Sequence, residues 1–252
     1  MDDLDLLIDL HLDAPRLGPG GDDETSFAIR LSGLASRTAL RIADIGCGTG
    51  ASTLLLTREL DARITAVDLL PAFLERLGTA AEAAGLSARV DTLAASMDAV
   101  PFPDQAFDAL WAEGAVYNMG FAAGVQAWRR FLKPGGILAV SDLTWLTRER
   151  PSELERYWTH AYPEVDTAAG KLAVLEARGF SPVGYFPLPP SCWLDTYYRP
   201  LQSRFPEFLA RHDNDAAAAD LVAAQQAEIE LYERYSEYVS YGFYIARCVA
   251  HP

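Results

Sequence analysis

The sequence predicts an α/β protein built around a parallel sheet. Three observations carry this reading. Short apolar, strand-like segments alternate with helix-like ones from Arg41 to Asp142, a glycine cluster sits at the first strand-helix junction, and 50% of the 252 residues are hydrophobic. Such alternation requires right-handed crossovers, with helices covering both faces of the sheet. A chain this long buries a substantial core without disulfides or structural metals.

In order, a Gly/Pro-rich loop, Arg16-Leu17-Gly18-Pro19-Gly20-Gly21, precedes an amphipathic helix from Asp22 to about Ser36. Arg41–Ile45 reads as a buried strand, Ala51–Leu60 as a helix and Ile64–Asp68 as the second strand. Pro71–Ala84 is a helix with Pro in its first turn, where a missing N–H costs nothing, and Gly85 as its stop. Val90–Ala94 and Ala109–Ala112 are the third and fourth strands. Gly124–Phe131 is a helix ended by Lys133-Pro134-Gly135-Gly136, and Ile137–Asp142 is the fifth strand.

Beyond Ser141 the rhythm breaks. A Trp/Tyr-rich stretch from Thr144 to about Val165 leads into a helix, Thr167–Arg178, and a strand, Val183–Pro187. A second aromatic stretch, Pro189–Pro206, is followed by a long helix, Asp215–Tyr238, and a last strand, Tyr241–Val249. The reading is one domain over residues 1–252, with insertions at about 143–168 and 189–238. These should fold together as a cap over the carboxyl edge of the sheet, where open α/β sheets bind ligands.

Charge narrows the partners. Lys plus Arg number 21 against 35 Asp plus Glu, a formal charge of -14 that repels phosphate backbones and anionic membranes. Nucleic acid and membrane are therefore not expected as partners. Cys47, Cys192 and Cys248 are odd in number and widely spaced, which suggests reduced thiols in a cytoplasmic protein. The opening Met-Asp-Asp-Leu-Asp is acidic where a signal peptide is basic, and no apolar stretch reaches the length of a membrane span.

The most informative stretch is Ala43-Asp44-Ile45-Gly46-Cys47-Gly48-Thr49-Gly50. Glycines there permit positive φ and remove side chains, so a ligand can lie directly on the backbone. The amides at the helix start favour a carboxylate or phosphate. Asp68, about 20 residues on, sits near the tip of the next strand, where a carboxylate can accept both ribose hydroxyls. Gly46, Gly48 and Ala51 satisfy the loose dinucleotide fingerprint, so NAD enters as a candidate. Against it stand Gly50, the acid Asp44 two residues before the first glycine, and the lack of a basic group near the loop to offset a pyrophosphate. An acid there suits an ammonium group, and S-adenosylmethionine carries an ammonium, a carboxylate, a ribose and a sulfonium but no phosphate.

With these residues the sequence resembles class I S-adenosylmethionine-dependent methyltransferases. Ser96-Met97-Asp98-Ala99-Val100-Pro101-Phe102 is similar to the family's adenine-side loop, although many members carry Asp-Ala where this chain has Ser96-Met97. Phe107-Asp108-Ala109-Leu110-Trp111 resembles its fourth strand, and Phe131-Leu132-Lys133-Pro134-Gly135-Gly136 the turn into its fifth. A narrower likeness, to a bacterial subgroup acting on small molecules, rests on Gly18-Pro19-Gly20, Trp111 to Phe121, Ser141 to Trp145, His160 to Glu164, Cys192-Trp193 and Tyr241 to Ile245. The resemblance implies a Rossmann-like sheet of seven strands with the last antiparallel. It also implies S-adenosyl-L-methionine as cofactor and methyl transfer to a small-molecule acceptor.

Methyl transfer is an in-line displacement, so the protein mainly positions the acceptor within about 3 Å of the methyl and excludes water. On this reading Asp68 binds the ribose, Leu69 packs on the adenine, and Ser96 and Met97 line its edge. Asp44, Gly46, Gly48, Gly50 and Glu113 surround the aminobutyrate end, and Arg16 is a candidate partner for its carboxylate. Trp145, Trp158, Tyr162, Trp193 and Tyr197 are candidates to line the acceptor's pocket, because aromatic faces suit a polarised methyl and an apolar acceptor. Tyr117 and Asn118 follow the fourth strand directly and are best placed to reach the methyl. Tyr117 is thus a catalytic candidate together with His160, the most tempting general base. His11, His212 and His251 read as surface residues. No spacing suits a metal, and neither Gly-x-Ser-x-Gly nor a P-loop is present. Two alternatives stay open. One keeps the fold and donor site without methylation, as a non-methylating catalyst or a noncatalytic protein. The other is an NAD-dependent oxidoreductase, for which no hydride-handling pair can be identified.

Overall fold

The computed structural model describes residues 3–249, so His251 lies outside the described residues. Strands β1 (Leu40–Ile45), β2 (Ala62–Asp68), β3 (Val90–Ala94), β4 (Phe107–Glu113) and β5 (Leu132–Trp145) run parallel. Strand β6 is the two-residue segment Asp166–Thr167, and β7 (Phe180–Pro187) and β8 (Val239–Cys248) complete the sheet. Spatial order is β3-β2-β1-β4-β5-β8-β7, with β6 beside the end of β5. Strand β8 is antiparallel to both of its neighbours. The expected seven-strand path with an antiparallel last strand is present, and β6 is an addition to it.

Helices α2 (Asp22–Ser32), α3 (Ala51–Glu59), α4 (Pro71–Ala83), α5 (Phe121–Trp128) and α7 (Ala168–Ala177) flank the sheet. Local sequence explains several boundaries. Gly33 adopts φ 73° and stops α2. Pro71 opens α4, and the side chain of Thr167 accepts the Gly170 N–H to cap α7. The expected helix to Ser36 instead breaks at Gly33 and resumes as a short 3-10 turn over Leu34–Ser36.

The largest boundary difference lies in β5. Lys133-Pro134-Gly135-Gly136 reads in sequence as a turn before the strand, yet β5 is already paired at Leu132. It advances from Leu132 to Ile137 while β4 advances only from Phe107 to Ala109. The four residues are therefore an excursion within a paired strand, the kind of irregularity that positive-φ Gly135 permits.

Helix α1 (Asp3–His11), not anticipated from sequence, packs with α6 (Ser152–Ala161), α8 (Pro190–Trp193), α9 (Arg199–Gln202), α10 (Phe205–Arg211) and α11 (Ala216–Tyr235). Their shared core joins Leu6 and Leu10 of α1 to Leu143 and Trp145 of β5, Trp158, Trp193, Phe208 and Tyr232. Burying large aromatic rings supplies most of the apolar area that holds these short helices together. Between α8 and α9, Leu194–Tyr198 forms a wider π turn, which sends Tyr198 into this core and Tyr197 towards the cavity described below. No helix among the described residues is long and apolar enough to cross a membrane.

Two histidines are not surface residues. His11 is 7% exposed, and its Nδ1 lies 3.0 Å from the Leu7 carbonyl. His212 reaches Asp9 at 2.8 Å, joining α1 to the end of α10. Both depend on helix α1, which the sequence does not announce: it carries His11 and supplies Asp9 to His212.

Candidate active site

One cavity of about 790 Å³ opens above the carboxyl ends of β1, β2 and β4 and runs under α1, α6, α11 and the π turn. Its floor is the glycine loop. Gly46, Gly48 and Gly50 adopt φ of 73°, 54° and 93°. A Cβ on Gly46 would stand 2.4 Å from the Ala115 Cβ, and one on Gly48 2.6 Å from Leu17 Cδ1. Backbone there is both left-handed and closely approached, so only glycine fits without displacement.

Asp68 fixes this loop. Its Oδ2 accepts the Gly48 N–H at 2.9 Å and its Oδ1 the Leu70 N–H at 3.0 Å, leaving further lone pairs for a ligand. Leu69 beside it is 64% exposed, an open apolar platform. Across the cavity, Ser96 and Met97 form the opposite wall, and the Trp128 indole N–H donates to the Met97 carbonyl at 2.9 Å.

Glu113, at the tip of β4, is held from three sides. Its Oε1 accepts the Thr25 hydroxyl at 2.7 Å and the Trp111 N–H at 2.8 Å, and its Oε2 accepts from Arg16 at 3.2 Å. Arg16 also donates to Asp22 at 2.8 Å. Arg16 is therefore a nearly buried, doubly paired residue on the cavity wall.

Other predicted site residues are placed differently. Asp44 is fully buried and does not line the cavity; its Oδ2 accepts the hydroxyls of Ser52 and Thr53 at 2.7 and 2.6 Å. Burial pushes its carboxyl up to about 7, against the pull of those two hydroxyls. It braces the start of α3 rather than facing a ligand. Gly50 packs on Leu77, away from the cavity. Trp145 is buried in the cap core with Arg150 4.3 Å over its ring. His160 lies with Glu155, Arg156 and Thr159 in an open groove on the outer side of α6, outside the cavity.

Tyr117, Asn118, Trp158, Tyr162, Trp193 and Tyr197 all line the cavity. Tyr162 is tied to the sheet, donating to Asp142 at 2.9 Å and accepting the Phe121 N–H at 3.2 Å. Asp142 also pairs with Lys171, and both are buried. Sequence reasoning missed His11, Gln225, Glu228 and Tyr241, which also line the cavity. A signal existed for two of them. Gln225 and Glu228 fall at helical spacing with Leu221 and Tyr232, so they are polar residues on the inward face of α11.

Comparison with known proteins agrees with this geometry. Residues 42–136 match the family model described as a methyltransferase domain. The chain is 33% identical over 164 residues to malonyl-[acyl-carrier protein] O-methyltransferase of Dechloromonas aromatica, covering 63% of this chain and 56% of that protein. It is 34% identical over 134 residues to 27-O-demethylrifamycin SV methyltransferase of Amycolatopsis mediterranei, covering 52% and 48%. Residues 42–136 thus carry a likeness to the S-adenosylmethionine-dependent methyltransferases. The chain spans about half the length of these curated relatives.

The likeness in fold extends beyond the matched segment. A methyltransferase from Geobacter sulfurreducens, solved with S-adenosyl-L-homocysteine, superposes with a TM-score of 0.84 at 18% identity, covering 96% of this chain and 97% of that one. The [4+2]-cyclase SpnF superposes with a TM-score of 0.78 at 23% identity, covering 98% and 93%. The helices over the cavity are thus part of an architecture shared with complete solved chains of the methyltransferase fold.

Proposed function

We propose that this protein is a class I S-adenosylmethionine-dependent methyltransferase that moves a methyl group from S-adenosylmethionine to a small organic acceptor in the cytoplasm. The observation that carries the reading is continuity. The cleft over Gly46, Gly48 and Asp68 and the aromatic chamber under the cap are one cavity, large enough for a nucleoside and a second molecule. Bound S-adenosylmethionine supplies a methyl carbon already activated by its sulfonium.

The chain's own groups then bind and orient. Asp68, held by two backbone amides, presents its free lone pairs to the ribose hydroxyls. Leu69 packs against the adenine, and Ser96 and Met97 meet its edge, in a loop pinned by Trp128. Arg16 and Glu113 receive the carboxylate and ammonium of the aminobutyrate end, and the amides at the start of α3 add to them. Asp44 contributes indirectly, by fixing Ser52 and Thr53 beneath the loop. Tyr117 and Asn118 line the same cavity, Tyr117 edge to face with Tyr162, and orient the acceptor. A roof of α1, α6 and α11 excludes water, which competes with the acceptor for the reactive carbon.

A formal charge of -14 and an acidic cavity wall favour a small molecule over nucleic acid as the acceptor. Three buried cysteines, free of disulfides, fit a reducing compartment.

Since the same fold carries the cyclase named above, the decisive experiment follows the methyl rather than the binding. Purified protein is incubated with methyl-labelled S-adenosylmethionine and a metabolite extract. Label is expected in a small extract component together with S-adenosylhomocysteine. Tight donor binding with no label transferred to any component overturns methyl transfer and favours a non-methylating catalyst of this fold.

A further inference from the structure

The cap end of the cavity contains a carboxylate for which methyl transfer by itself gives no use. Glu228 of α11 lines the cavity and accepts the hydroxyls of Tyr157 at 3.0 Å and Tyr198 at 2.9 Å. Among the described residues, no Lys, Arg or His forms an ion pair with it. Aromatic rings line the same cavity as this carboxylate. Tyr157 stands 5.0 Å from Trp158, Trp158 stands 6.2 Å from Trp193, and Trp193 stands 5.0 Å from Tyr241, each pair edge to face. Tyr197 on the π turn, 5.0 Å from Tyr198, also lines the cavity. Burial and the nearby Glu228 both push the Tyr197 and Tyr241 hydroxyls up, so these rings stay neutral.

The remaining charges decide the sign of the ligand. Arg16 on the cavity wall is paired with Glu113 and Asp22, and the proposed donor assignment directs it to the aminobutyrate carboxylate rather than to the acceptor. Burial pushes the His11 imidazole down, which leaves it neutral near pH 7. Lys171, behind Tyr162, is committed to Asp142. An anionic acceptor would meet Glu228 with no free cation to offset it. Burial pushes the Glu228 carboxyl up, which a cation beside it would offset, and aromatic faces attract positive charge as well.

We propose that the cap end of the cavity binds an acceptor carrying a protonated or quaternary amine, with Glu228 as its counter-charge and Trp158, Trp193, Tyr197 and Tyr241 as its cage. The proposal rests on the donor assignment above, and its test separates the two. Isothermal titration first measures S-adenosylhomocysteine binding; failure there sinks the donor assignment, and the cation assignment with it. Protein saturated with S-adenosylhomocysteine is then titrated with tetramethylammonium, benzyltrimethylammonium and phenethylamine, and with the neutral or anionic counterparts 3,3-dimethylbutanol, 3-phenylpropanol and 3-phenylpropionate. Tryptophan fluorescence, which senses Trp158 and Trp193, reports occupancy.

At least one amine is expected to bind tenfold or more tightly than its neutral counterpart, and 3-phenylpropionate least of all. Glu228→Gln should abolish that preference while S-adenosylhomocysteine affinity changes less than twofold, which also shows that the variant is folded. Tyr197→Leu, which leaves the hydrogen bonds of Glu228 in place, should weaken the amine several-fold. The proposal is overturned if no amine outbinds its counterpart, or if the preference survives Glu228→Gln. It is also overturned if Glu228→Gln weakens S-adenosylmethionine but neither S-adenosylhomocysteine nor the amines, because Glu228 would then serve the donor's sulfonium.

Discussion

The carboxylate of Asp68 holds the backbone N–H of Gly48 at 2.9 Å, tying the tip of β2 to the loop that follows β1. One side chain therefore shapes the loop floor and, in the proposed donor assignment, also accepts from the ribose. Replacing Asp68 by Ala removes both effects. S-adenosylhomocysteine affinity should fall at least tenfold, since each hydrogen bond to a charged group is worth about 1.5–3 kcal/mol. Calorimetric titration checks this; an affinity within twofold of the parent would remove Asp68 from the donor site.

Gly46 tests the loop backbone independently. Its φ is 73°, and a methyl added there would stand only 2.4 Å from the Ala115 Cβ, so Gly46→Ala forces a left-handed alanine against a neighbour. Strain of this kind costs about 1–3 kcal/mol, so the thermal midpoint should drop and donor binding should weaken together. A variant with unchanged midpoint and affinity would show that the loop tolerates a side chain there.

Asp44 predicts an unusual pH dependence. Its pKa is raised from 3.8 to about 7, chiefly by burial, so the folded protein retains a proton that the unfolded chain releases. Stability contributed by this group is present at low pH and is lost as pH rises from about 4 to about 7, by up to about 1.4 kcal/mol per pH unit. Asp44→Asn keeps the shape and cannot ionise. The stability of Asp44→Asn relative to the parent should increase across that range and level off above it. Urea denaturation of both proteins over the range measures the difference, and a constant difference would contradict the assignment.

Lys171 and Asp142 form a buried pair beneath Tyr162, with the ammonium 4.6 Å from the Phe121 ring and 5.1 Å from that of Tyr162. Lys171→Met strands a carboxylate in the core and should cost about 3–5 kcal/mol. Changing Asp142 to Leu at the same time should recover much of that loss, although Tyr162 then loses its acceptor. Denaturation of the single and double variants distinguishes an unpaired charge from simple misfit, for which the double variant would be no better.

His160 provides the contrast. It faces an open groove on α6 with Glu155 and Arg156, outside the cavity. His160→Ala should leave the rate of label transfer within about twofold of the parent, well short of the 10²–10⁴-fold that a general acid–base supplies. A larger loss would mean that α6 turns during catalysis.

The sheet and the donor floor are legible in the amino-acid order alone, because both rest on local, periodic signals. Apolar strands recur at short intervals, and Gly46, Gly48 and Asp68 are fixed by a turn that only a few residue types can make. Long-range packing settles what those signals leave open. Asp44 and Trp145 are buried supports, and His160 faces outward, because burial depends on what packs from distant parts of the chain. Helix α1 gives no clear signal of its own, so His11 reads as exposed although Tyr197 and α10 enclose it. Glu228 sits 111 residues from Tyr117 and 160 from Asp68 in sequence, and no spacing rule joins them. They share a cavity because the chain returns over the carboxyl edge of its own sheet, and only that return gives the acceptor chamber its charge.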